Sequence, residues 1–303
     1  MELKDRQGSV IRRIFAGPNG IRAGWRLLMF LIFAIAIIVV LFHFALHSAP
    51  WKIPALRLGA VMPRELIVLF AVLTAAWTMA KIERRPFGSY GLPWRSGLWL
   101  RLGEGTIWGF GAMTLVLVIL RAVHSFSFGL AELDARHLLF YAFGWGVYFL
   151  LVGLYEEFTF RGYSQFTLTT AMGFWPAAFL LSAIFGVVHL TNPGENWIGA
   201  LQVFLTGLLL CVGLERTGNL WFPVGLHAAW DWAETFFYGV PDSGLTFRGH
   251  FLNPLFHGSK WLTGGSVGPE GSIVALLVEV AIIGLLMLRF PASRNAEPYV
   301  TSS

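Results

Sequence analysis

Long apolar stretches alternate with short polar or basic segments along almost the whole chain. A helix needs roughly 20 apolar residues to cross the hydrocarbon core of a bilayer. Stretches of this kind lie near residues 27–47, 65–82, 103–123, 137–160, 175–191, 197–214, 219–238 and 272–290. The pattern therefore predicts an all-α, polytopic integral membrane protein with about eight transmembrane helices.

These stretches form one predicted membrane domain, residues 27–291, because no sequence period repeats and no polar segment is long enough for a soluble domain. An N-terminal tail, residues 1–26, and a C-terminal tail, residues 292–303, flank it. Most Lys and Arg residues lie in these tails and in every second loop, which predicts that both termini are cytoplasmic. The Gly-, Pro- and aromatic-rich segment 239–271 is expected to be an extracytoplasmic loop that lies partly on the membrane interface.

Composition supports the membrane assignment. Hydrophobic residues make up 56% of the chain and charged residues 13%, whereas a soluble domain carries roughly 25% charged residues. The net charge of +5 comes from basic residues scattered singly through short loops, so we expect no nucleic-acid partner. The single cysteine, Cys211, lies in an apolar run and excludes an intrachain disulfide or a cysteine metal cluster.

Charged residues inside the predicted spans are the candidates for function, because each costs about 2.5–3.5 kcal/mol near the bilayer centre. The segment "GLYEEFTFRGYSQ", residues 153–165, ends the fourth span with Glu156, Glu157 and Arg161. Glu157 and Arg161 are four residues apart on one helix face, which predicts an ion pair. Glu156 points about a quarter turn away and is left free for chemistry.

Two histidines mark later spans. His189 closes the fifth span four residues after Phe185, and Asp231 follows His227 by four residues in the seventh. A lone histidine on an apolar face is most often a satisfied core residue, but two histidines and an acid favour a site.

Helix geometry places these groups at similar depths. If the fourth helix continues past Arg161 to a turn at "AMGFWP", Glu156 and His189 both lie about 24 Å from that turn along their helices. The sixth and seventh helices turn on the same side, which brings His227 and Asp231 to a comparable depth. We therefore expect all four groups to meet in one buried layer.

Two chemical interpretations fit this set. Glu156, His189, His227 and Asp231 could bind a catalytic Zn²⁺, or another divalent metal, with a position open for water. Without a metal, Glu156 and His189 could deprotonate a water while His227 and Asp231 stabilise an oxyanion. Both routes hydrolyse an acyl bond. The chain contains no HExxH motif.

The ordered motifs EExxxR, FxxxH and HxxxD/N resemble those of the CAAX protease and bacteriocin-processing (CPBP, or Abi) family of intramembrane endopeptidases. The resemblance covers a core of about residues 140–240 and implies an all-α, membrane-embedded (metallo)endopeptidase. It implies that Glu156 activates water with His189, and that His227 and Asp231 bind a metal or the oxyanion.

The same resemblance implies structural support for the site from Glu157, Arg161 and Phe185. One departure concerns Asp231, where prenyl-protein proteases of the family have Asn. An ionised Asp cannot donate a hydrogen bond, which puts its role as an oxyanion donor in doubt.

The expected partners are membrane lipid and a peptide or membrane-protein substrate, with prenylation left open, in a bacterial cytoplasmic membrane. A non-catalytic scaffold, a bacteriocin-immunity protein or a proton-coupled transporter would also place acids and imidazoles in spans. The sequence shows no inverted repeat, which argues against transport. Two further acids fit no role: Glu234 is expected to be solvated at a span end, and Glu279 lacks a predicted partner.

Overall fold

The computed structural model describes residues 15–17, 20–45, 57–93, 97–131 and 133–291, and these residues are mostly helical. The helices are α1 (Ala23–Ala45), α2 (Leu58–Glu83), α3 (Leu98–Ala122), α4 (Ala135–Glu157), α5 (Gln165–Met172), α6 (Phe174–His189), α7 (Trp197–Thr217), α8 (Trp221–Trp232), α9 (Lys260–Thr263) and α10 (Ile273–Arg289). Two-residue strands pair as β1 (Ala16–Gly17) with β2 (Gly20–Ile21), and β3 (Phe126–Ser127) with β4 (Leu255–Phe256).

The predicted polytopic, all-helical architecture is confirmed at this level, and each predicted apolar stretch overlaps a helix. Within the described residues, five helical segments are long and apolar enough to cross a membrane: Ala23–Phe44, Leu58–Glu83, Leu98–Ala122, Ala135–Met172 and Trp197–Thr217. Residues 1–14 of the predicted N-terminal tail, and the predicted tail 292–303, lie outside the described residues. Among the described residues of the predicted N-terminal tail, β1 pairs with β2 in an antiparallel arrangement.

The fourth helix continues past Arg161, as the depth argument requires. A seven-residue π-helical segment, Phe158–Ser164, joins α4 to α5. Its wider turn and the non-helical backbone of Gly162 (φ −83°, ψ −107°) bend the segment. Gly173 then adopts a positive φ of 85° and lets the chain reverse into α6. Glu156 and Glu157 therefore lie on the last turn of α4, directly before this irregular segment.

Glycines allow the backbones of α3 and α8 to touch. A Cβ at Gly105 would lie 2.1 Å from the carbonyl oxygen of Phe222, and one at Gly109 would lie 2.0 Å from that of Leu226. On α8, a Cβ at Gly225 would lie 2.2 Å from the carbonyl oxygen of Leu102. Small residues four apart are a common means of close helix packing in membranes. These glycine contacts hold α8, the helix that carries His227 and Asp231, against α3.

The segment 239–271 folds back onto the helix ends. Val240, Phe247 and Val267 are buried, and the Asn192 side chain donates a 3.0 Å hydrogen bond to the carbonyl oxygen of Ser243. This segment therefore contributes to the packed structure beside α6 and α8.

One expectation about an isolated acid was wrong, and a second acid has partners that the sequence did not indicate. Glu234, expected to be solvated, has no exposed surface, because it lies in a second π-helical segment, Ala233–Tyr238, that continues α8 beneath segment 239–271. Glu279, for which no partner was predicted, accepts hydrogen bonds from Gln202 and Thr206 of α7.

The glycine contacts give a matched stability test on one helix. Gly109→Ala should cost about 1–3 kcal/mol of folding stability, because the added methyl group overlaps the α8 backbone. Gly111→Ala, on the open side of α3 with no atom within 4 Å, should be neutral or stabilising. Thermal unfolding of the detergent-solubilised variants measures the difference, and equal melting temperatures would contradict the close packing.

Candidate functional site

A cavity of about 260 Å³ opens among α2, α4, α6, α7, α8 and segment 239–271. All four residues predicted to form the catalytic centre line it, namely Glu156, His189, His227 and Asp231. The structure thus brings together side chains from α4, α6 and α8 that lie far apart in the sequence. Their catalytic roles remain predictions.

Glu157 connects two of these helices through one oxygen atom. Its Oε1 accepts a 3.0 Å hydrogen bond from Nη1 of Arg161, and it lies 2.9 Å from Nδ1 of His227. Glu157 is fully buried and Arg161 is 1% exposed. The predicted ion pair is therefore present, and Glu157 has a second partner that helical spacing did not indicate. With Nδ1–H donating to Glu157, Nε2 of His227 is the nitrogen turned to other partners.

Glu156 lies at the cavity wall beside this pair. Its Oε1 accepts a 3.0 Å hydrogen bond from the Tyr155 hydroxyl. Its Oε2 is buried, has no hydrogen-bond partner among the described residues and lies 3.8 Å from Nε2 of His227. The Glu156 side chain as a whole is 17% exposed and lines the cavity, so its carboxylate is placed to meet a water or a substrate there.

Asp231 approaches the same imidazole from one turn further along α8. Its Oδ2 lies 3.3 Å from Nε2 of His227, and both side chains are nine-tenths or more buried. His227 is therefore surrounded by the carboxylates of Glu156, Glu157 and Asp231. In its protonated form the ring would carry a positive charge at the centre of an acidic site.

His189 is oriented by its own helix. Its Nδ1 lies 2.8 Å from the carbonyl oxygen of Phe185, which leaves Nε2 for the cavity. The Phe185 ring contacts His189 edge-on at 4.6 Å between centroids, and the guanidinium of Arg161 lies 4.3 Å above the same ring. Phe185 thus lies between the Glu157–Arg161 pair and His189, where a supporting role was expected.

The predicted metal-ligand set has suitable donor types, with Glu156 and Asp231 oxygens 3.8 and 3.3 Å from Nε2 of His227. Zinc ligands at bond lengths of about 2.0–2.2 Å have comparable separations. A second group of acids also lies close together. One carboxylate oxygen each of Glu234, Asp242 and Glu270 lies within 4.8 Å of the other two.

Several cavity residues were not anticipated. Glu65 lies in the cavity wall, and its Oε1 accepts a 3.4 Å hydrogen bond from the Tyr148 hydroxyl. In the sequence, Glu65 stands at the first residue of the predicted apolar stretch 65–82. The helix begins seven residues earlier, at Leu58, so Glu65 lies inside α2 and not at its end. Asp242 and Glu270 also line the cavity. They belong to segment 239–271, and no sequence pattern indicated that this segment folds over the site.

Breaking the Glu157 connection should destabilise the protein. Glu157→Gln removes the counter-charge of the buried Arg161, and loss of one partner of a buried pair costs about 3–5 kcal/mol. Glu104→Gln is the control, because Glu104 pairs with Arg101 at 2.7 Å where both side chains are about a quarter exposed; such a pair contributes roughly 0–1 kcal/mol. Thermal unfolding in detergent compares them, and equal losses would contradict the role given to Glu157.

Comparison with known proteins identifies this region. Residues 138–233 match the family model described as type II CAAX prenyl endopeptidase Rce1-like. The chain is also 26% identical over 171 residues to the uncharacterized protein YyaK of Bacillus subtilis strain 168, an alignment that covers 54% of this chain and 56% of that protein. The matched region contains all three motifs and the residues brought together around the cavity. Residues 138–233 therefore form a domain of the Rce1-like type II CAAX prenyl endopeptidase (CPBP) family.

Proposed function

We propose that this protein is an intramembrane endopeptidase that hydrolyses a peptide bond in a membrane-embedded or membrane-adjacent substrate. One observation carries the proposal: Glu156, His189, His227 and Asp231 line a single cavity among apolar helices. The match of residues 138–233 to an endopeptidase family model supports the same reaction class. Buried acids and imidazoles are costly in such surroundings, and a reaction is a reason to retain them.

Glu156 is the proposed general base. Its Oε2 has no partner among the described residues and can accept a proton from a water in the cavity. The resulting hydroxide would attack the carbonyl carbon of the scissile peptide bond, and Glu156 would then return the proton to the leaving amine. His189, with Nδ1 held by the Phe185 carbonyl, can position the same water through Nε2.

His227 is the proposed electrostatic partner of the tetrahedral intermediate. Its Nδ1 lies against Glu157, and its Nε2 lies 3.3 Å from Asp231. An imidazolium fixed between two carboxylates can stabilise the developing oxyanion without moving during the reaction. Asp231, as an ionised acid, would act by holding this ring rather than by donating a hydrogen bond itself.

Zn²⁺ or another divalent metal is compatible with the donor types of Glu156, His189, His227 and Asp231, and when bound it would supply Lewis acidity and a more acidic water. The steps assigned to Glu156 and His227 require these side chains in either case.

The proposed setting is a bacterial cytoplasmic membrane crossed by about eight helices, with both termini in the cytoplasm. The distribution of Lys and Arg among tails and loops supports this topology. The substrate class that follows is a peptide or membrane protein, lipidated or not, that reaches the cavity from the bilayer or its interface.

A nearly isosteric substitution tests the proposal. Glu156→Gln keeps the side-chain shape but removes the base, so cleavage should fall by about 100- to 10,000-fold. Mass spectrometry of new protein termini, in membranes of cells expressing the wild-type or variant chain at equal levels, measures it. Glu104→Gln, remote from the cavity, should leave the termini unchanged.

Identical termini in wild-type and Glu156→Gln membranes, with both proteins folded, would contradict the peptidase proposal. Unchanged function of the variant in the cell would then favour a scaffold or immunity protein. Proton flux in liposomes that Glu156→Gln abolishes would favour a transporter.

A further inference from the structure

Three carboxylates form a second polar group beside the proposed catalytic centre, here called the acidic cluster. It consists of Glu234, from the π-helical segment after α8, and Asp242 and Glu270, from segment 239–271. Glu234 is 0% and Glu270 is 5% exposed, and Asp242 is half-buried. One oxygen of each lies within 4.8 Å of the other two.

Glu234 points to a missing ligand. Neither of its carboxylate oxygens has a hydrogen-bond partner among the described residues, although both are buried. None of the ion pairs found among the described residues involves any of the three carboxylates. A buried carboxylate without a partner is strongly unfavourable, so something must neutralise it.

The other two acids are held in place by neutral donors. Glu270 Oε1 accepts from the Trp230 indole at 2.8 Å, while Oε2 accepts from the backbone N–H and the hydroxyl of Ser243 at 2.9 and 2.7 Å. Asp242 Oδ2 accepts from the Thr235 hydroxyl at 3.1 Å. Because both oxygens of Glu270 accept hydrogen bonds, its ionised form is favoured.

Burial acts in the opposite direction. It raises the pKa of Asp242 and of Glu270, and the nearby Asp231 carboxylate raises both further. Three carboxylates with oxygens within 4.8 Å of one another, and with no cationic side chain paired to any of them among the described residues, repel each other, so the acidic cluster must either take up protons or bind a positive ion. Both solutions neutralise charge, but only a cation also occupies the oxygens of Glu234.

We propose that the acidic cluster binds a hard divalent cation, with Ca²⁺ as the best match. The ligand atoms are all carboxylate oxygens, which suit Ca²⁺, Mg²⁺ or Mn²⁺ rather than Zn²⁺ or copper. Oxygens that each lie about 2.4 Å from a Ca²⁺ ion are at most about 4.8 Å apart, in agreement with the cluster. These ligands are distinct from the four residues assigned to catalysis.

The position of this cation gives it a structural consequence. Glu234 belongs to the helix that carries His227, whereas Asp242 and Glu270 belong to segment 239–271 and line the cavity. A shared cation would therefore fasten this segment to the end of α8 and fix the cavity wall.

Terbium luminescence tests the proposal on the full-length protein in detergent. Tb³⁺ replaces Ca²⁺ at oxygen sites and emits when a nearby indole is excited, and Trp230 is hydrogen-bonded to Glu270. The wild-type chain should show saturable emission that Ca²⁺ displaces. Millimolar Ca²⁺ should also raise its melting temperature by about 5 °C.

Matched variants assign the site. Glu234→Gln and Asp242→Asn should each weaken Tb³⁺ binding at least about tenfold and abolish the Ca²⁺-dependent rise in melting temperature. Without Ca²⁺ they should melt no lower than the wild-type chain, because each removes one of three carboxylates that lie close together and repel one another. Glu156→Gln and Glu104→Gln should bind Tb³⁺ as the wild-type chain does.

Two results would overturn the proposal. Wild-type protein with neither saturable emission nor a Ca²⁺-dependent shift would mean that protons neutralise the cluster. Emission that is lost in Glu156→Gln but kept in Asp242→Asn would place the ion in the predicted catalytic set. Both readouts are independent of peptide cleavage, so failure of the proposed enzymatic function would leave this test intact.

Discussion

The organisation of the cavity depends on one buried carboxylate oxygen, Oε1 of Glu157, which contacts Arg161 and His227 together. Arg161 lies against the Phe185 ring of α6, and His227 belongs to α8. Three helices are thus connected through the charge of one carboxylate. In an apolar medium, removal of one partner would leave the other charge buried and unpaired, which is strongly destabilising. The imidazole receives its orientation from a group that takes no part in the proposed proton transfers.

Close packing makes this electrostatic connection possible. The glycines of α3 and α8 let the two backbones touch, which fixes the height of His227, and the π-helical turn after α4 leaves Glu157 and Arg161 on one buried face. Segment 239–271 completes the wall from the other side with Asp242 and Glu270. A polar cavity therefore lies among apolar helices, which suits the proposed hydrolysis within a membrane.

Much of this arrangement follows from short-range rules. The Glu157–Arg161 pair follows from a spacing of four residues, and helix rise with the position of a turn predicted a similar depth for Glu156 and His189, which line one cavity. The bond from Glu157 to His227 does not follow, because it joins residues 70 positions apart and depends on how α4 and α8 rotate about their axes. Spacing alone cannot give that rotation.

The wrong expectation for Glu234 and the failure to anticipate Asp242 and Glu270 both originate in segment 239–271. Glu234 was expected to be solvated because it lies near the end of an apolar stretch, yet this segment folds over it. A Gly- and Pro-rich segment has no periodicity from which its tertiary contacts can be derived. Glu65 was missed for a simpler reason, since polar residues hid the true start of α2 at Leu58.

The most direct test of the central claim asks whether a water molecule supplies an oxygen atom to each new carboxyl group, and whether this reaction depends on Glu156. Isolated membranes containing the wild-type or Glu156→Gln chain would be incubated in H₂¹⁸O, and new C-termini would be analysed by mass spectrometry. The account predicts one ¹⁸O atom in each new carboxyl group formed by the wild-type protein, and at least about 100-fold fewer such products with the variant. Labelled termini of equal abundance in both samples would contradict it.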